Sequence, residues 1–169
     1  MSEFLDEIEE CVPPLRRYAR SLTRNADHAD DLVQDCLERA IRKQALWRPS
    51  GPLRAWLFRM LLNIYRNDLR HRRRRPATIS IDLVTELPHV AAPQPGRMAL
   101  AETARALELL PEEQRAALLL VVLEGLSYAE AAEALAIPQG TLMSRIGRAR
   151  VALRQMTDGR GETRLRTVK

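Results

Sequence analysis

Aromatic residues are scarce in this chain: two Trp, three Tyr and two Phe make up only 4% of its 169 residues. Sheets favour aromatic and β-branched side chains. Leucine and alanine dominate the 46% hydrophobic content instead, which predicts an all-α fold of packed helices. No apolar run approaches the roughly 20 residues needed to span a bilayer, which excludes membrane insertion by a helix. Cysteine is nearly absent. Cys11 and Cys36 form no CxxC and sit in helical apolar patterns, so they read as buried free thiols rather than a redox pair. His28, His71 and His89 are scattered without metal-ligand spacing, and no nucleophile with a base or glycine-rich phosphate loop is present. The chain is therefore expected to lack catalytic residues, metal, cofactor and small-molecule substrate. The start "MSEFLDEIEE" is acidic, the opposite of a secretory signal, which predicts a cytoplasmic protein.

What is present is charge in unusual places. The net charge is +5. Residues 1–75 hold 16 basic and 11 acidic side chains, residues 98–138 hold 2 and 7, and residues 139–156 hold 4 arginines and no acid. The positive charge gathers in "RHRRRR" (70–75) and in a helix near the C-terminus. Such concentration points to a polyanionic partner.

Helical periodicity is strong over about 4–22, 29–46 and 53–74, with Asp27 placed to cap the second helix and Pro13-Pro14 placed to kink the first. Residues 76–97 hold Pro76, Pro88, Pro93 and Pro95 and no sustained period, and read as an extended linker. Helices resume over about 98–109, 111–124, 128–135 and 139–156, with Pro111 in a first turn, Gly125 as a stop and Ser127/Glu130 as a capping box. The organisation expected is two small helical domains, 1–75 and 98–157, joined by the 76–97 linker and followed by a disordered tail, 158–169. Each domain is small enough to be only marginally stable alone.

The last helix carries Leu142, Ile146, Ala149 and Leu153 on one stripe. Its other face holds Gly140, Ser144, Gly147, Arg148 and Val151, with Thr141 and Arg145 on a shoulder. This face is small, hydroxylated and basic, and a short helix and tight turn precede it. That is the pattern of a helix-turn-helix, whose second helix enters the DNA major groove. The third helix sets Leu53, Leu57, Met60, Leu61 and Ile64 towards a core. Opposite them Arg59, Asn63, Arg66, Arg70 and Arg73 make a ladder of donors about 21 Å long at 1.5 Å rise per residue. Such side chains bond phosphates and base edges. Trp47, in the loop before this helix, suits either stacking on an unpaired base or capping the domain core. The second helix is acidic outside, with Asp31, Gln34, Asp35 and Glu38, which suits either a basic protein partner or solvent.

The chain resembles the group 4 (extracytoplasmic-function) sigma factors of bacterial RNA polymerase. "DHADDLVQDCLERAI" is similar to regions 2.1–2.2, "GPLRAWLFRMLLNIYRNDLRHRRRR" to regions 2.3–2.4, and "LPEEQRAALLLVVLEGLSYAEAAEALAIPQGTLMSRIGRARVALR" to region 4. The resemblance implies a region 2 bundle and a region 4 helix-turn-helix. It implies core polymerase as a partner, through its β′ clamp helices and β subunit, with Asp31, Leu32, Gln34 and Asp35 on the clamp. It implies −10 recognition as single strand by Asn63, Arg66, Asn67 and Arg70, beside Trp47, Arg59 and Arg73, with a flipped-out base held near the Trp47–Leu53 loop. It implies −35 recognition as duplex by Thr141, Ser144, Arg145 and Arg148, and control by an anti-sigma factor. The region 2 sequence also resembles general-stress sigma factors of alphaproteobacteria.

The chain departs from the family pattern at Met143, often basic, at Gly147, often larger, and at Ala136, often glycine, where a left-handed residue costs about 1 kcal/mol. Two rivals predict other behaviour. A DNA-binding regulator with a helix-turn-helix output domain and a helical sensor would bind duplex tightly without polymerase. A helical adaptor would show no salt-dependent DNA binding.

Overall fold

The computed structural model describes residues 2–47, 51–74 and 95–165. Among them every regular element is helical: α1 (Ser2–Thr23), α2 (Ala26–Arg42), a 3₁₀ turn (Gln44–Leu46), α3 (Leu53–Arg74), α4 (Pro95–Leu109), α5 (Glu112–Val122), α6 (Tyr128–Leu135) and α7 (Gln139–Leu165). Most of the expected linker, 76–97, lies outside the described residues.

Local chemistry sets the boundaries. The N-cap of α2 is Asn25, not Asp27: its side-chain oxygen accepts from the His28 N–H at 2.8 Å. Asp27 falls instead in the first turn, where its charge favours the helix dipole. The second helix stops at Arg42 and tightens into the 3₁₀ turn, rather than running to Leu46. Pro95 opens α4 three residues before the expected start, at a position where a missing N–H is tolerated. α5 ends at Val122, and Gly125 takes φ +66 just beyond it. Ser127 and Glu130 form the expected capping box. Ala136 adopts φ 53, ψ 47, the strained turn anticipated there. Arg24, also at positive φ, closes α1 and had no sequence signal. α7 is helical to Leu165 where a tail was expected from 158. Thr157 Oγ1 bonds within it to the Leu153 carbonyl, and no proline follows to stop it.

The two helical halves, α1–α3 and α4–α7, pack on one another. One apolar cluster runs from Phe4 to Ala149, with Leu15, Tyr18, Leu57, Phe58, Leu120 and Leu142 inaccessible to solvent. α1 lies on α5 and α3 on α6. Tyr18 donates its hydroxyl to the Ala116 carbonyl at 3.2 Å, and Arg24 donates to the Glu108 carbonyl at 2.7 Å. Each half thus covers apolar surface that it is too small to cover alone.

Candidate nucleic-acid interface

Three surfaces follow from which side of each helix the core takes. On α2 the core takes Leu32, Val33, Cys36 and Ala40, leaving Asp31, Gln34, Asp35 and Glu38 outside. Leu32, expected among the polymerase contacts, is only 2% exposed, because it lies on the apolar stripe of its helix. It positions the acidic face and is not part of it. Gln34 donates to Glu38 at 3.2 Å, and Arg42 pairs with Glu38 at 3.1 Å.

On α3, Arg59, Asn63, Asn67 and Arg70 are exposed. The side chain of Arg73 and residues 48–50 of the preceding loop lie outside the described residues. A groove of about 380 Å³ opens beside this face, lined by Arg59, Asn63 and Asn67, with Arg39 and Lys43 from the end of α2 and Trp56 as an aromatic wall. Trp56 is also part-buried against the core, and sequence reasoning missed Arg39 and Lys43. The signal for the last two was a switch in α2 from acidic (Asp27 to Glu38) to basic (Arg39 to Lys43). Trp47 does not line the groove. Its ring lies 5.4 Å from that of Phe4, centroid to centroid, so it covers the end of the core as its alternative reading held. Arg66, mid-ladder, is half-buried and donates to the Leu135 carbonyl at the end of α6, 3.2 Å away. There a guanidinium also meets the negative end of a helix dipole.

On α7, Thr141, Ser144 and Arg148 are exposed, while Leu142, Ile146 and Ala149 are buried. Arg145 is not free on this face: it pairs with Glu113 of α5 at 2.7 Å, and its side chain is 17% exposed. A Cβ added at Gly140 or Gly147 would meet nothing within 4 Å. The chain's own packing therefore does not require glycine at either position. Met143 and Val151 are exposed on the same helix.

Neither thiol sits where it can react. Burial pushes the Cys36 thiol up to about 12 and raises that of Cys11, so both stay protonated near neutral pH. Among the described residues no His, Cys, Asp or Glu cluster is arranged to hold a metal, and no helix is long and apolar enough to cross a membrane.

The α2 and α7 surfaces lie in segments that match known families, while most of the α3 face follows the first of them. Residues 8–62 match the family described as the Sigma2 domain of PhyR, and residues 100–153 match sigma-70, region 4. The ECF RNA polymerase sigma factor EcfG of Rhodopseudomonas palustris is 42% identical over 151 residues, covering 88% of this chain and 81% of that one. SigM, an ECF sigma factor of Mycobacterium tuberculosis, is 35% identical over 146 residues, covering 84% and 70%. Among solved structures, the sigma factor RpoE of Bartonella quintana, in complex with the anti-sigma factor NepR, superposes with a TM-score of 0.77. It is 34% identical, covering 94% of this chain and 98% of that one.

Proposed function

The chain belongs to the extracytoplasmic-function sigma factors, and from that premise we propose how its three surfaces divide the work of promoter recognition. The acidic face of α2 (Asp31, Gln34, Asp35) docks on the β′ clamp helices of core RNA polymerase. The α3 groove takes the melted −10 strand in the cytoplasm, where transcription occurs. The exposed face of α7 enters the −35 duplex.

The observation that carries this reading is the α3 groove. Cationic and amide donors (Arg59, Asn63, Asn67, Arg39, Lys43) surround an opening walled by the Trp56 ring. A duplex cannot present a base to such a recess, whereas an unstacked base offers both a π-face and free edges. The α7 face is of the opposite kind. It is low and convex, with hydroxyls and one arginine, and suits the floor of a major groove. Reading one surface in melted DNA and the other in duplex requires a protein that works during strand opening. The free chain should bind promoter duplex weakly, because polymerase supplies the strand opening and fixes the two halves relative to one another.

A solved relative held by NepR supports control of this chain by an anti-sigma factor. The match of region 2 to the PhyR domain supports the general-stress placement, PhyR being a stress response regulator. The test is transcription by purified core polymerase on a genomic fragment library, with and without the chain. Start sites sharing −10 and −35 elements only when the chain is present are expected. Tight sequence-specific binding to duplex by the chain alone, with no chain-dependent start sites, would favour the regulator instead.

A further inference from the structure

The contact between the two halves contains a charge arrangement that packing alone does not require. Glu124 follows α5 and is the one acid in the apolar run from Leu118 to Leu126. Its carboxylate side chain has no exposure to solvent. Both partners come from the other half. Arg17 of α1 donates through Nε to Oε1 at 3.0 Å and through Nη2 to Oε2 at 2.7 Å, a two-point pairing. Arg54 of α3 donates to Oε2 at 3.1 Å and also to the Glu124 carbonyl, while its guanidinium lies 5.7 Å from the Phe58 ring. A carboxylate buried without partners is strongly unfavourable. Glu124 is therefore satisfied only while the halves are together. Separating them must hydrate or re-pair it.

Closure also fixes the two DNA-reading faces near each other. Arg66 bonds the Leu135 carbonyl, and Leu135 lies six residues before Thr141, a reach of at most about 22 Å. Elements centred near −10 and −35 are about 25 base pairs apart, or about 85 Å of duplex at 3.4 Å per pair. The closed chain cannot place α3 and α7 on both at once. The twenty residues 75–94 have a covalent reach of up to about 70 Å, enough to let the halves part.

We propose that the free chain closes on itself, with Glu124 as a pin seated between Arg17 and Arg54, and that withdrawing this pin is a required step in joining polymerase. Closure keeps Arg66 on the α6 carbonyl and the two reading faces out of register with any promoter. The claim about register rests on the α3 and α7 assignments above. The claim that the free chain is pinned shut does not.

The experiment uses the full chain without anti-sigma factor or DNA. Spin labels are placed at exposed positions in each half, Glu9→Cys and Gln155→Cys, the native cysteines being buried. The distance between them is measured by pulsed electron resonance in wild type, Glu124→Gln and Arg17→Gln. The wild type should give one short, narrow distance, and both variants a longer, broader distribution. Association with core polymerase, followed by fluorescence, should strengthen about tenfold in the variants, since apparent affinity scales with the competent fraction. Circular dichroism confirms retained helix. Arg17 is half exposed, so Arg17→Gln gives the comparison should Glu124→Gln unfold. A long or broad distance in the wild type would overturn the proposal. So would variants that keep the wild-type distance and polymerase affinity. Neither result would touch the sigma-factor reading, which rests on chain-dependent transcription.

Discussion

α3 and α7 are both arginine-bearing helices with a buried apolar stripe, yet their outer faces differ in shape and chemistry. α3 carries long donors and no glycine, and borrows Arg39 and Lys43 from α2 to complete a recess with an aromatic wall. The exposed face of α7 carries Thr141, Ser144, Arg148 and the glycines Gly140 and Gly147, whose missing side chains leave open space. A recess admits a base that has left its stack. A low face admits the edges of bases that have not. Both helices also lend arginines to the chain itself: α3 gives Arg66 to the Leu135 carbonyl and Arg54 to Glu124, and α7 gives Arg145 to Glu113. Basic residues on a helix are thus not all readers. Their partners decide.

Three changes break or sharpen this contrast. The largest effect is expected from Asp31→Arg combined with Asp35→Arg. Both residues are exposed on α2 and contact neither reading face, so the fold should persist. Co-purification with core polymerase should be lost, and with it reading by α3 and α7 together. Retention at wild-type level would move the polymerase contact elsewhere.

A smaller effect is expected in the support of α7. Ser127 Oγ accepts the Glu130 N–H at 3.2 Å, and Glu130 accepts the Ser127 N–H at 2.8 Å. Losing such a cap costs about 1 kcal/mol, or about 2–4 °C in a chain of this size. Ser127→Ala should lower the melting temperature by that amount and weaken −35 binding while sparing −10 binding. The Ser127 hydrogen bonds hold the Glu130 carboxyl below its usual range. A depressed folded pKa gives stability that is present above the unfolded value, about 4.3, and lost as pH falls through the folded one. The gap between wild type and Ser127→Ala should therefore narrow on acidification below about pH 4. A gap independent of pH would show that the carboxylate does not take part.

The smallest effect separates stability from binding. Glycine costs about 1 kcal/mol against alanine inside a helix. Because nothing among the described residues approaches Gly147, Gly147→Ala should raise the melting temperature slightly. In holoenzyme it should weaken the −35 duplex if DNA comes close at that point. Unchanged duplex affinity would mean that the glycine serves no contact.

Much of this was legible in the sequence because it is periodic. The helix order, the capping box and the split between the α2, α3 and α7 faces all follow from apolar spacing and short-range chemistry, while the left-handed Ala136 was signalled only by the family resemblance. Resemblance placed the two regions, and both family matches fall within those segments. What periodicity could not show was tertiary. Arg66 and Arg145 keep their places on their helices, but their hydrogen-bond partners lie 69 and 32 residues away in sequence. Leu32 was expected on the polymerase-binding face, and burial places it in the core instead. Both Trp47 and Trp56 pack against the core, and which of the two also walls the groove depends on how α2 and α3 meet, which periodicity does not show. The pin at Glu124 did have a signal, a lone acid in an apolar run, but its two partners come from the other half of the chain.

The central claim is that one chain reads two forms of DNA with two helices. Its most direct measurement is the affinity of reconstituted holoenzyme for two probes, a −35 duplex and a −10 fork with an unpaired non-template strand. Each is tested with Arg148→Ala and with Arg59→Ala combined with Asn63→Ala. Removing a good base contact costs about 1–3 kcal/mol, roughly 5- to 150-fold in affinity. Arg148→Ala should lose that much on the duplex and nothing on the fork, and the α3 double variant the reverse. If both variants weaken the same probe and leave the other unchanged, the division between α3 and α7 is wrong.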